Sequence, residues 1–170
     1  MISEKLQLIF SSVPENIHQV EKFVEDICDE YNINNTYFGN ILVALTEAVE
    51  NAMVHGNKNN PSKNVEITFL SKPEGLSFTI KDEGDGFDIN NIPDPTDLNV
   101  NPEEVKGRGI FLIKSLADEV NFLLKDKGIE ILFKTSSINN EIAIGRINQL
   151  KSYSGIKETS TPHNNDKRSL

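Results

Sequence analysis

Glu47 and Asn51 stand four residues apart in the run Leu45-Thr46-Glu47-Ala48-Val49-Glu50-Asn51-Ala52. On a helix that spacing puts both side chains on one face, so a carboxylate and an amide point the same way. The chemistry such a pair offers is a proton acceptor beside a ligand for a hard cation: Glu takes a proton, and the Asn carbonyl oxygen suits Mg²⁺. Taken alone, the pair is more often an ordinary polar helix edge. Its weight depends on what the rest of the chain brings to it.

A second carboxylate is placed more tellingly. In Leu76 to Asp82 strand alternation puts Leu76, Phe78 and Ile80 on one face and carries that face on to Asp82. An acid at the end of an apolar row needs a donor, because burying it unpaired costs several kcal/mol. A backbone amide, a buried water or the exocyclic amine of a purine would serve; a turn-initiating Asp is the plainer alternative. Gly84 and Gly86 follow at alternate positions, where backbone approaches a flat ligand without interference from Cβ. A calcium loop fails on spacing, since its first, third and fifth positions would be Asp82, Gly84 and Gly86.

Gly107-Arg108-Gly109 directly precedes the apolar run Ile110-Phe111-Leu112-Ile113. Free amides and a helix dipole at such a start favour a phosphate. Arg108 adds a charge there or is an exposed helix-start arginine. Neither the G-x-x-x-x-G-K-[ST] loop nor the G-x-G-x-x-G fingerprint occurs, which excludes a P-loop nucleotidase and a dinucleotide-binding fold of that kind.

The elements that must position these groups are legible from periodicity. Lys5 to Ser11 reads as a strand. Ser12-Val13-Pro14-Glu15 has capping-box spacing with a proline suited to a first turn, so a helix should start there. Ile17, Val20, Val24, Ile27, Cys28 and Tyr31 form its buried seam, which makes Cys28 a structural thiol, while His18 lies off the seam as a surface histidine. A second helix spans about Thr36 to His55, with core residues Ile41, Leu45, Ala48, Val49 and Ala52 and a left-handed cap at Gly56. His55 caps or packs at its end.

Asn64 to Leu70 and Leu76 to Asp82 make a hairpin around Ser71-Lys72-Pro73-Glu74-Gly75. After a 19-residue stretch from Asp88 to Lys106, long enough to be a lid or disorder, Ile110 to Ala117 reads as helix. Glu119 to Lys125 and Ile129 to Thr135 pair around Asp126-Lys127-Gly128. The order β-α-α-β-β-loop-α-β-β predicts an α+β, two-layer sandwich, with helices on one face of a mixed, mainly antiparallel sheet.

Composition narrows the classes further. The 170 residues hold 26 acidic and 17 basic side chains, a net charge of -9, one Cys and no Trp. That length fits one domain, expected over residues 1–138. Residues 139–150 are ambiguous between a strand and a helical turn, and 151–170, with net charge +2 and few large apolar side chains, are expected to be disordered. A lone Cys28 makes no internal disulfide, and the first thirty residues lack a signal-peptide pattern, so a cytoplasmic location is expected. No run approaches the roughly 18 apolar residues of a membrane span. The acidic balance disfavours direct binding to nucleic acid or anionic lipid and favours a protein or small-molecule partner.

Taken together, Glu47-x-x-x-Asn51, Asp82-x-Gly84-x-Gly86 and Gly107-x-Gly109 resemble the N box and two glycine boxes of the GHKL ATP-binding superfamily of gyrase, MutL, heat-shock chaperones and sensor histidine kinases. The likeness covers about Lys5 to Thr135. With His55-Gly56 and Gly107-Arg108-Gly109-Ile110-Phe111-Leu112, the chain is most similar to the anti-sigma factor serine/threonine kinases of bacterial partner switching.

The resemblance implies a Bergerat ATP-binding fold and the cofactors ATP and Mg²⁺. It makes Glu47 the catalytic base and Asn51 the Mg²⁺ ligand. Asp82 becomes the adenine contact, and Gly84, Gly86, Gly107 and Gly109 shape the nucleotide site, with Arg108 near the phosphates. It further implies phosphorylation of an anti-sigma-factor antagonist of the STAS type, a sigma factor as second partner, and a homodimer. A nucleotide-gated protein-binding regulator with little transfer is the alternative, and retention of Glu47 favours the kinase. The ATP-binding half of a histidine kinase is expected to be the weaker reading, since nothing upstream provides room for a phosphoacceptor domain.

Overall fold

The computed structural model describes residues 5–85, 107–134 and 136. Gly86, the stretch Asp88 to Lys106, and the segments 139–150 and 151–170 lie outside the described residues. Strand β1 (Lys5–Ser11) leads through a 3-10 turn (Pro14–Ile17) into helix α1 (His18–Glu30), followed by α2 (Asn35–Asn51). A π-helical turn (Ala52–Gly56) extends α2, and β2 (Asn64–Lys72) and β3 (Gly75–Asp82) follow. Beyond the long connection come α3 (Arg108–Leu116), β4 (Glu119–Leu123) and β5 (Gly128–Lys134).

The five strands form one sheet in the order β1-β2-β3-β5-β4. Among the described residues every pairing is antiparallel, where the sequence predicts a mixed, mainly antiparallel sheet. Both β3 and β4 run antiparallel to β5, so they point the same way. With β5 lying between them, no parallel pair forms among the described residues.

Alternation decides which face is covered. Phe10, Ile67, Phe69, Phe78, Ile80, Ile131 and Phe133 point inward and are buried. The three helices close this face with Val20, Val24 and Ile27 from α1, Ile41, Leu45 and Val49 from α2, and Ile110, Ile113 and Leu116 from α3. Phe78 sits centrally, 5.2 Å from Phe69 and 6.1 Å from Phe133 between ring centroids. Truncating such a ring to Ala costs about 3–5 kcal/mol. On the opposite face Glu130 accepts from Lys72 Nζ at 2.6 Å and Ser77 Oγ at 2.8 Å, a polar network that pins β2, β3 and β5 in register.

Three local expectations fail, two of them for a tertiary reason. Ser12 caps no helix: its hydroxyl accepts from Asn57 Nδ2 at 2.7 Å, and only a 3-10 turn begins at Pro14, with α1 starting at His18. Gly56 is not a left-handed cap; Asn57 after it has φ -81°, and the reversal falls to Lys58 and Asn59 at φ 55° and 54°. Gly56 is needed instead because a Cβ there would stand 2.3 Å from Cγ of Asp82. The first hairpin is tighter than expected, since Lys72 pairs with Gly75 and leaves only Pro73 and Glu74 as the turn. Asn34 caps α2, its side chain accepting from Tyr37 N at 2.9 Å.

Candidate functional site

The face of α2 that carries Glu47 and Asn51 meets the start of α3. An ideal Cβ on Gly109 would stand 2.8 Å from Glu47 Oε2, 3.2 Å from Asn51 Nδ2 and 3.4 Å from Asn51 Oδ1. The two polar groups four residues apart therefore converge on one point of bare backbone. Gly107 precedes it with φ 112°, a conformation that L side chains rarely adopt, and turns the chain into α3 at Arg108.

From Asn51 an open cleft runs toward the sheet, lined by Ala48, Asn51, Ala52, Gly56, Ile80, Asp82, Ile110, Phe122, Lys127 and Ile129. Apolar walls with a few placed polar groups are what a flat heteroaromatic ligand requires. At the far end Asp82 Oδ1 accepts from Gly84 N at 2.7 Å, which answers the demand that the acid meet a donor. A carboxylate oxygen has room to accept further hydrogen bonds besides this one.

Burial pushes the carboxyl of Asp82 above the ordinary aspartate range, against the Gly84 amide, Lys127 and Lys63. Burial likewise raises Glu47; Glu50 adds to the rise, and Arg108 at the exposed start of α3 opposes it. An elevated glutamate is better suited than an ordinary one to take a proton near neutral pH.

The site thus unites Glu47, Asn51, Asp82, Gly84, Arg108 and Gly109 along one cleft and its rim, with Gly107 at the turn into α3. Two contributors escape local reading. Lys127 lies in the β4–β5 turn at φ 52° and donates from Nζ to Gly84 O at 3.0 Å, joining that hairpin to the loop after β3. Asn57, 1 % exposed, joins the ends of three strands. Asp126-Lys127-Gly128 reads as a turn and Gly56 as a helix cap, and only long-range contacts show what Lys127 and Asn57 hold.

The sequence profile of the histidine kinase-like ATPase domain matches residues 10–135, which takes in strands β2 to β5, the helices and the cleft. The chain belongs to the histidine kinase-like ATPase domain family. No curated protein matches the chain. Among solved structures this histidine kinase-like ATPase domain is similar to the RsbU and RsbW domains of Rv1364c from Mycobacterium tuberculosis, with a TM-score of 0.50 and 14% identity. That likeness covers 76% of this chain and 31% of the other, so the chain spans under a third of that structure's length, and it supports the fold alone. Among the described residues no helix is long and apolar enough to cross a membrane.

Proposed function

We propose that this histidine kinase-like ATPase domain is an ATP-dependent protein serine/threonine kinase and anti-sigma regulatory factor. It phosphorylates a STAS-type anti-sigma-factor antagonist, binds a sigma factor as its second partner, and acts in the cytoplasm as a homodimer. The observation that carries the reading is the convergence of Glu47 and Asn51 on Gly109 at one end of a cleft whose other end holds Asp82.

Each role follows from position. Asp82 accepts from the exocyclic amine of adenine, and apolar Ile80, Ile110 and Ile129 flank the base. Backbone amides at Gly107, Arg108 and Gly109 face the phosphates at the start of α3, and the Arg108 guanidinium adds positive charge beside them. The Asn51 carbonyl oxygen fits a cation such as Mg²⁺, which keeps most of its water and phosphate ligands and takes one or two from protein. When bound there, Mg²⁺ supplies charge neutralisation across the phosphate oxygens.

Glu47 orients the acceptor hydroxyl and takes its proton. The hydroxyl oxygen bonds to the γ-phosphorus, the bond to the β,γ-bridging oxygen breaks, and ADP leaves. Such transfer asks the protein mainly for positioning and electrostatics.

The test is titration of the purified chain with labelled ATP, with and without Mg²⁺, beside Asp82→Asn and Glu47→Ala. Mg²⁺-dependent binding that Asp82→Asn loses and Glu47→Ala keeps, with transfer to a STAS-type protein lost in Glu47→Ala, is the expected result. Absence of binding by folded wild type would sink the reading. Binding without any transfer would replace it with a nucleotide-gated regulator.

A further inference from the structure

We propose that Asn57 is a positioning residue for base recognition, holding the end of β3 so that Asp82 faces the cleft. The inference rests on the nucleotide reading above and adds to it a residue that touches no ligand.

Asn57 is 1 % exposed, and its amide is engaged on both sides. Nδ2 donates to Ser12 Oγ at 2.7 Å and to the Asn64 carbonyl at 2.8 Å, while Oδ1 accepts from Glu83 N at 2.8 Å. The orientation is forced, because a backbone N–H only donates and a carbonyl only accepts. Ser12 follows β1, Asn64 begins β2, and Glu83 follows β3, so one side chain ties three strand ends together.

The Glu83 arm reaches the cleft directly, and the Asn64 arm meets it there, since Asn64 N–H donates to the Glu83 carboxylate. Glu83 is the residue after Asp82, and Asp82 itself pairs with Val65 across the β2–β3 ladder. The backbone of Asp82 is thus fixed before it by the ladder and after it by the Asn57 bond. The π-helical turn delivers Asn57 to this place: its own N–H bonds to Ala52 O at 2.8 Å, five residues back. The same turn lays Gly56 against the Asp82 carboxyl. Releasing the Glu83 arm removes one restraint on the backbone after Asp82 and leaves the carboxylate held by the Gly84 N–H alone, whereas releasing the Ser12 arm loosens β1 without reaching the cleft.

The readout is the preference of the full chain for ATP over inosine triphosphate, which replaces the 6-amine with a carbonyl. In wild type a hydrogen bond from that amine to a charged acceptor is worth roughly tenfold or more. Asn57→Ala is expected to reduce the preference to about threefold or less, with ATP weakened and inosine triphosphate nearly unchanged. Ser12→Ala is expected to lower stability and keep the wild-type preference. Should Asn57→Ala fail to fold, amide exchange on wild type decides: at equal saturation ATP should slow exchange at Glu83 N–H about tenfold more than inosine triphosphate does.

Equal weakening of both nucleotides in Asn57→Ala, equal loss of preference in Ser12→Ala, or equal slowing at Glu83 would each overturn the assignment. Failure of wild type to bind either nucleotide would overturn the nucleotide reading itself, and is seen before any variant is made.

Discussion

The carbonyl oxygen of Gly56 lies 2.0 Å from where a side chain on Gly84 would begin. Both partners are backbone, one in the turn that ends α2 and one in the loop after β3, so neither can step aside alone. Gly84→Ala should therefore destabilise the fold by about 1–3 kcal/mol or more, as overpacking does. Urea unfolding followed by circular dichroism measures it, and a midpoint equal to that of wild type would contradict this contact.

Gly109 presents the opposite case. The nearest atom to its absent Cβ is Oε2 of Glu47, the far end of a flexible side chain. Gly109→Ala should fold with a stability close to that of wild type but displace the carboxylate. If the proposed kinase reading holds, transfer should fall on the order of 100-fold, because misplacement by about 1 Å costs that much, while ATP affinity changes less. Single-turnover assays beside equilibrium titration separate the two effects.

Much of this arrangement is legible in the sequence. The limits of β1 follow from alternation of Leu6, Leu8 and Phe10, and the seam of α1 from the helical period of Val20, Val24 and Ile27. Asp82 stands out as an acid closing an apolar row, whereas Glu47 and Asn51 gain weight only beside the two glycine motifs. What is missed involves partners distant in the chain. Ser12 resembles a helix cap until its bond to Asn57, 45 residues away, is known. Gly56 resembles a left-handed cap until Asp82 is placed against it. Local pattern reports phase and propensity, and neither encodes which strand ends meet.

The raised carboxyl of Glu47 has a sign that can be checked in the absence of ligand. Its charged form is disfavoured by burial in the folded state, so the folded protein binds that proton more tightly than the unfolded chain does. Glu47→Gln should be the more stable protein at pH 7. The difference should shrink as pH falls through the elevated folded value toward the ordinary 4.5. Parallel urea titrations at pH 7 and at acid pH provide the comparison, and an advantage that grows toward acid would reverse the assignment.

Cys28 is buried in the seam of α1, and burial pushes its thiol up to about 11. At pH 8 it should react with a disulfide reagent at least roughly 100-fold more slowly in the native protein than in urea, where the thiol regains an ordinary pKa. Native labelling at the unfolded rate would show that the seam is open to solvent.

The order β1-β2-β3-β5-β4 divides the cleft between two stretches of chain. Residues 5–85 bring Glu47, Asn51 and Asp82, and residues 107–134 bring Gly109, Ile110 and Lys127. A nucleotide held as proposed would touch both, so it would stabilise only their assembled form. Severed within 86–106, the protein would become a pair of fragments whose complementation reports the ligand, with β3 and β5 as the seam along which they rejoin.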